Sequence, residues 1–215
     1  MTGERRMFRR EGEGARRDSL ITAALELIAE GGPEAATVRA IAERAGVTPG
    51  LIRHYFASKD DLTRAAYLAL MQQMVQTSFD VLETAPDDPK IRLAAFVAAS
   101  LRPPVMDATA IGLWAGFLHH VRRDPAMAAV HRTGYLRYRD QLQLLIAALP
   151  GDTPPERLRT QAIACNGVID GLWLEGGALP DAFAPDELAQ IAVQSVGAIL
   201  GIDLPYPGPQ HGNDA

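Results

Sequence analysis

Residues 37–59 gather hydroxyl, imidazole and basic side chains within a short stretch of the chain. Threonine and tyrosine hydroxyls can donate hydrogen bonds to phosphate oxygens, and a lysine or histidine adds positive charge. Arg53 can hydrogen-bond the edge of a guanine, and Leu51 can contact the methyl group of a thymine. The chemistry that this stretch could perform is therefore that of an interface with double-stranded DNA.

Two short helices joined by a tight turn must position these side chains. Apolar residues recur at helical spacing in the first helix, at Val38, Ile41, Ala42 and Ala45. Thr37 suits the N-cap of this helix, and Gly46 can adopt the left-handed conformation that ends it. Thr48 then caps a second helix that begins with Pro49.

The second helix has one apolar face and one face suited to a partner. Ile52 and Phe56 are predicted to lie in the core, whereas Gly50, Leu51, Arg53 and His54 lie on the remaining surface. An exposed leucine on that surface indicates contact with a partner. Two such helices joined by a glycine-containing turn form a helix-turn-helix, whose second helix enters the major groove. Ser58, with Asp61 three positions later, is expected to cap a long third helix.

Residues 16–64 resemble the DNA-binding domain of the TetR family of bacterial repressors. The resemblance rests on RRDSLITAALELIAEGG and on TVRAIAERAGVTPGLIRHYFASKDDL. Its most specific parts are the AGV turn and the HYF-x-x-K sequence at the end of the motif. It implies that four residues face the bases, namely Pro49, Gly50, Leu51 and Arg53. It implies that five others hold phosphates, namely Thr37, Thr48, His54, Tyr55 and Lys59.

Composition is ordinary for a globular protein, with 47% hydrophobic and 22% charged residues in 215. The single cysteine, Cys165, excludes an internal disulfide framework and favours a reducing, cytoplasmic location. No apolar run is long enough to predict a membrane span. The net charge of −5 divides unevenly, since residues 1–64 carry +1 and residues 65–215 carry −6. The acidic balance therefore does not exclude DNA as a partner of the N-terminal part.

The rest of the chain predicts helices only. The fold class is all-α: an N-terminal three-helix DNA-binding domain with a helix-turn-helix, joined by a long helix to an α-helical ligand-binding and dimerisation domain. We expect a flexible arginine-containing arm over 1–15, a DNA-binding domain over 16–64, a helical body over 65–201 and a disordered tail over 202–215. Within these, the predicted helices are Arg16–Glu30, Ser58–Glu83, Lys90–Leu101, Asp107–Arg123, Ala126–Leu149, Glu156–Ala178 and Pro185–Leu200.

The family resemblance implies a homodimer through the last two long helices. Small residues in Glu156–Ala178, among them Gly167 and Gly171, would allow close approach of a second copy. The segment from Val168 to Glu175, which contains IDGLWL, resembles the C-terminal domain of BetI-type, choline-responsive repressors. This second resemblance implies a small-molecule effector bound by the body.

Aromatic rings beside a carboxylate would suit a quaternary or protonated amine. The candidate ligand-binding residues are Trp114, Phe117, Tyr135, Tyr138, Asp170 and Trp173, with Glu175 as an alternative acid. The tryptophans could equally be core or dimer-interface residues, and Asp170 could pair across that interface. We expect neither a metal nor a cofactor, because His119 and His120 are adjacent and point apart on a helix.

The leading functional hypothesis is a ligand-responsive repressor that binds a DNA operator. An enzyme is not expected, since the sequence has no phosphate-binding glycine loop, nucleophile elbow or histidine–carboxylate metal motif. An architectural DNA-binding protein remains the alternative, although the long acidic body argues against it.

Overall fold

A computed structural model describes residues 2–106 and 108–208, and over residues 2–11 it describes the backbone only. The described part is helical and contains no strand, which confirms the all-α prediction. None of its helices is long and apolar enough to cross a membrane. The helices are α1 (Thr2–Gly31), α2 (Val38–Arg44), α3 (Pro49–Tyr55), α4 (Lys59–Thr84), α5 (Pro89–Ala99), α6 (Ala108–Val121), α7 (Pro125–Ala147), α8 (Pro155–Ala178) and α9 (Glu187–Leu200).

The first helix is longer than the sequence predicted. It begins at Thr2, so the backbone over 2–15 is helical where a flexible arm was expected. Glutamate and arginine are good helix formers, and the two glycines, Gly12 and Gly14, cost only about 1 kcal/mol each against alanine. The arginines of residues 1–11 have side chains outside the described part of the structure.

Contacts divide the chain into two compact units, and the division differs from the predicted domains. The first unit joins residues 1–71 to residues 112–131, and the second joins residues 72–111 to residues 132–215. Residues 112–131 thus pack with the N-terminal helices instead of with the predicted 65–201 body. The reason is local packing, because a Cβ on Gly116 would lie 3.7 Å from the ring of Pro33.

The core of the first unit is the apolar face of α1 packed against the helix-turn-helix. Leu20, Ile41, Ile52 and Phe56 are all buried in it, as the helical spacing predicted. Arg44 of α2 forms ion pairs with two glutamates of α1. Its guanidinium donates two hydrogen bonds of 2.8 and 2.7 Å to the carboxylate of Glu30 and a third of 3.2 Å to Glu26. α2 is therefore held against the last turns of α1.

A second set of contacts holds α4 to residues 112–131 within the first unit. The guanidinium of Arg64 donates a 2.6 Å hydrogen bond to Asp124, which itself accepts from the backbone N–H of Ala126 at the start of α7. Tyr67 is fully buried, and its hydroxyl lies 2.6 Å from Nδ1 of His131. These contacts explain why the start of α7 belongs to this unit.

In the second unit, α5 is the central element. Residues 93–98 of α5 are buried without interruption, which is typical of a helix surrounded by others. α9 packs against both α5 and α8 and buries Leu188, Ala192 and Val196. Asp88 caps α5 by accepting hydrogen bonds from the N–H groups of Lys90 and Ile91. The helical boundaries of this unit follow the predicted ones within about two residues.

The chain after α9 is ordered by contacts at least to Gly208, which corrects the predicted disordered tail for these residues. We call residues 202–208 the C-terminal strap. Leu204 of the strap is buried, and the hydroxyl of Tyr206 donates to the carboxylate of Asp186. Arg102 donates to the same carboxylate at 2.6 and 2.7 Å and to the carbonyl of Gly208 at 2.9 Å. The rest of the predicted tail, residues 209–215, lies outside the described part.

Candidate DNA interface and effector site

The turn between α2 and α3 is built as its residue types predicted. Thr37 caps α2 through a 3.1 Å hydrogen bond from the N–H of Ala40 to its hydroxyl. Gly46 has a φ of +66°, which an L side chain rarely adopts, and Val47 donates its N–H to the carbonyl of Ala42 at 2.9 Å. The predicted cap of α4 is also present, since Ser58 accepts from the N–H of Asp61 at 3.1 Å.

The start of α3 leaves a hydroxyl available for a partner. Thr48 occupies the N-cap position, as predicted, but its side chain makes no capping hydrogen bond. Pro49 follows at the first helical position, and Gly50 presents bare backbone, with only the Thr48 hydroxyl near the place of a Cβ. A phosphate could therefore approach the first turn of α3 without a steric barrier.

The nine predicted DNA-contacting residues share one region of the first unit. Thr37, Thr48, Pro49, Gly50, Arg53 and His54 are exposed, whereas Leu51, Tyr55 and Lys59 are half-buried. Leu51 is thus less exposed than the sequence predicted. It precedes Ile52, which is 2% exposed, by one position and therefore lies at the edge of the packed face of the short helix.

Arg17 joins this region, although the sequence interpretation did not single it out. Its guanidinium lies over the ring of Phe56, 5.2 Å from the ring centre. The contact places a cation of α1 next to the end of α3 and covers the core at that point. Sequence spacing could not have revealed it, because residues 17 and 56 meet only through the packing of α1 on α3.

In the second unit, α7 and α8 bring Tyr135 and Asp170 together. The Tyr135 hydroxyl donates to Oδ2 of Asp170, and the amide nitrogen of Asn166 donates to the same carboxylate oxygen at 2.8 Å. The Asn166 nitrogen also lies 2.6 Å from the Tyr135 oxygen. These three side chains, which we call the α7–α8 polar cluster, combine an aromatic ring with an anion.

Tyr138 extends this group toward α5. Its hydroxyl lies 2.7 Å from that of Ser100, and its ring stacks on Phe96 with 4.9 Å between centres. Removal from water raises the pKa of Tyr138 well above its usual range, and the Ser100 hydrogen bond opposes that rise. Removal from water also raises the pKa of Tyr135 to about 12, and the Asp170 carboxylate adds to it. Both phenols therefore remain neutral at physiological pH.

The sequence matches two family models in succession. Residues 20–66 match the model for bacterial regulatory proteins of the tetR family, and residues 89–201 match that for the C-terminal domain of BetI-type transcriptional repressors. The chain belongs to the TetR family of bacterial transcriptional regulators. Its C-terminal domain is of the BetI type, so both resemblances found in the sequence are confirmed.

Similar proteins agree with this assignment. The HTH-type transcriptional regulator BetI of Stenotrophomonas maltophilia is 32% identical over 181 residues, which is 84% of this chain and 90% of the relative. BetI of Burkholderia thailandensis is 29% identical over 86% and 93% of the two chains. Both relatives are transcriptional regulators.

Solved structures show the same fold. A transcriptional regulator of Pseudomonas aeruginosa superposes with a TM-score of 0.77 at 31% identity, covering 88% of this chain and 92% of that one. A regulator of Saccharomonospora viridis, solved in complex with choline, superposes with a TM-score of 0.68 at 18% identity, covering 89% and 98%. This TetR-family chain thus has the fold of its relatives over most of its length.

The six candidate ligand residues of this regulator fall into two groups. Tyr135, Tyr138 and Asp170 lie in the second unit, in or beside the α7–α8 polar cluster. Trp173 is in the same unit, but its indole N–H donates to the carbonyl of Val105 at 2.9 Å and the residue is 8% exposed, as in a core position. The remaining two, Trp114 and Phe117, lie in the first unit.

The two residues of the first unit lie next to different aromatic rings. The ring of Phe117 is fully buried 4.9 Å from that of Tyr67, and the ring of Trp114 lies 6.5 Å from that of His131. His119 and His120 are neighbours at the end of α6, and no group of three potential metal ligands exists among the described residues. Within the α7–α8 polar cluster of the second unit, the sequence interpretation missed Asn166. The only signal in the sequence was its position four residues before Asp170.

Proposed function

We propose that this TetR-family regulator is a repressor that binds its operator through α3 and is released by a small cationic effector. The observation that carries the DNA-binding part is the surface of α3, where Arg53 is exposed beside the bare backbone of Gly50. The exposed residues Pro49, Gly50 and Arg53 support contacts with base edges, and the hydroxyls of Thr37 and Thr48 support contacts with phosphates.

The dimer is proposed to form through α8 and α9. Their outer surface exposes large apolar side chains, since Ile163 is 44%, Leu174 43% and Ile191 36% exposed. Between the first two, Gly167 and Gly171 leave open space, with nothing within 4 Å of the place that a Cβ would occupy. Apolar side chains flanking bare backbone support close packing against the same surface of a second copy.

The effector is proposed to bind at Tyr135, Tyr138 and Asp170. A carboxylate beside phenol rings stabilises a cation through charge and through the ring faces. Choline is the first candidate, because residues 89–201 match the C-terminal domain of BetI-type repressors and a protein of the same fold was solved with choline. Trp114 and Phe117 stay predicted effector contacts, and Trp173 is proposed to support the site from the core.

Release from DNA requires that the effector bind one arrangement of the dimer more tightly than another. Two α3 helices of a dimer fit successive major grooves only when they lie about 34 Å apart. An effector that favours a different spacing would therefore weaken operator binding. An effector with equal affinity for both arrangements would change nothing, however tightly it bound.

The test is binding of the purified protein to DNA that flanks its own gene, at fixed salt and with excess random DNA. Arg53→Ala is expected to weaken operator binding by about 1–3 kcal/mol, roughly 5- to 150-fold, because a base contact is lost. Arg157→Ala removes another exposed arginine, at the start of α8, and serves as the matched control.

The alternative is an architectural DNA-binding protein. It predicts that random DNA competes fully and that Arg53→Ala and Arg157→Ala behave alike, since binding would depend on phosphates alone. Such a result would contradict the repressor proposal. Competitor-resistant binding that choline or another amine reverses would support both its DNA-binding and its effector parts.

A further inference from the structure

Asn166 is the most deeply buried member of the α7–α8 polar cluster, with 3% of the residue exposed. Its amide nitrogen donates to the Asp170 carboxylate at 2.8 Å and contacts the Tyr135 hydroxyl oxygen at 2.6 Å. The carboxylate can only accept hydrogen bonds, so the nitrogen end of the amide must face it. The opposite orientation would set two oxygens against each other.

This orientation leaves the amide oxygen of Asn166 buried without any hydrogen-bond partner. A buried carbonyl oxygen loses its hydrogen bonds to water, and native proteins nearly always replace them. Asn166 thus holds a preoriented acceptor within about one helical turn of a carboxylate. A bound ligand that carries a donor hydrogen would satisfy that acceptor.

We propose that Asn166 determines effector specificity and that the effector is a small cation bearing an N–H or O–H donor. The donor hydrogen bonds to the Asn166 amide oxygen, while the Asp170 carboxylate stabilises the positive charge. The inference rests on the proposed function, since it concerns the same effector site. It adds a requirement that charge and ring contacts alone do not impose: a cation of equal size without a donor binds more weakly.

Two pairs of cations differ by one donor hydrogen each and test this requirement. Trimethylammonium has an N–H that tetramethylammonium lacks, and choline has an O–H that its methyl ether lacks. Binding is measured by calorimetry on the full chain, which needs no operator. In at least one pair, the donor-bearing cation is expected to bind about 10-fold more tightly, the value of one buried hydrogen bond.

Variants assign the preference to one side chain. Asn166→Leu is expected to bring the affinity ratio within that pair close to one, because leucine has no hydrogen-bond acceptor. Gln161→Leu is the matched control, because it removes another buried amide oxygen without a partner from α8. Residues 161 and 166 are five positions apart and thus point about 140° away from each other. The ratio is unaffected by a general loss of affinity.

The outcomes separate the two proposals. Equal affinities within both pairs, or a ratio that survives Asn166→Leu, would overturn the role of Asn166 and leave a cationic effector in place. Failure of all four cations to bind at millimolar concentration would overturn the effector proposal itself, and this inference with it.

Discussion

Partial or full removal from water shifts the pKa values of three side chains on α7 and α8. Removal from water raises the pKa of the Cys165 thiol to about 11, and the same cause raises the pKa values of Tyr135 and Tyr138. These three groups are therefore uncharged at neutral pH. Because these groups are uncharged, the negative charge of the proposed cation site depends on Asp170.

Cys165 provides a probe of this interior, because it is the only cysteine in the chain and is fully buried. With a pKa of about 11, only about 0.1% of the thiol is ionised at pH 8, so alkylation of the native protein is expected to be much slower than that of the unfolded protein. The native rate should rise as pH increases toward 11.

The measurement is the rate of thiol labelling at pH 8 with and without urea. Unfolding should release one rapidly reacting thiol per chain. Equal rates in the native and unfolded protein would contradict the burial on which this prediction depends.

At the scale of elements, residues close in sequence determine where helices begin, whereas residues distant in sequence hold the C-terminal strap. α2, α3 and α5 begin at capping residues or prolines that lie next to them in sequence. The C-terminal strap depends on contacts between residues that are distant in sequence, because Arg102 and Asp186 both hydrogen-bond Tyr206. Gly197 of α9 makes the close approach possible, since a Cβ there would lie 2.8 Å from the carbonyl oxygen of Ile202.

Gly197→Ala is therefore expected to destabilise the protein by about 1–3 kcal/mol, because the added methyl group displaces the strap backbone. Gly112→Ala is the matched control within α6, where nothing lies within 4 Å of an added Cβ. The control should be neutral or more stable by up to about 1 kcal/mol, as alanine favours helix. Urea unfolding measures both, and equal stabilities would contradict the packing of the strap.

For the molecule as a whole, the proposed function requires DNA binding and dimerisation to act together. The N-terminal 64 residues carry +1 and the remainder −6, so a single DNA-binding domain offers little electrostatic attraction to DNA. Two DNA-binding domains on one operator share the cost of association, which makes binding depend strongly on the dimer. The proposed α8–α9 surface is therefore as important for repression as α3.

Leu174→Arg is expected to weaken the dimer by about 2 kcal/mol or more, because a charge replaces an apolar side chain at the proposed interface. Operator binding should fall in parallel. Leu144→Arg is the matched control, since Leu144 is a leucine of α7 with 65% exposure outside that surface. Sedimentation at micromolar concentration measures the change, and two variants that both remain dimers would contradict the proposed interface.

The sequence predicted the local structure well where neighbouring residues decide it. Capping by Thr37, the left-handed Gly46 and the Ser58 cap of α4 were all predicted and are present. Each is a contact within a few residues, so the residue types determine it without reference to the rest of the fold. The family, too, followed from this stretch and from IDGLWL.

Only the tertiary structure decided the features that join distant parts of the chain. The sequence did not reveal that residues 112–131 pack with the N-terminal unit, that residues 202–208 are held by Arg102 and Asp186, or that Arg17 covers Phe56. Nor could it show that Asn166 retains a buried acceptor without a donor. Helical periodicity tells which face of a helix is buried but not which side chain meets it, and the missing hydrogen bond of Asn166 depends on all its neighbours at once.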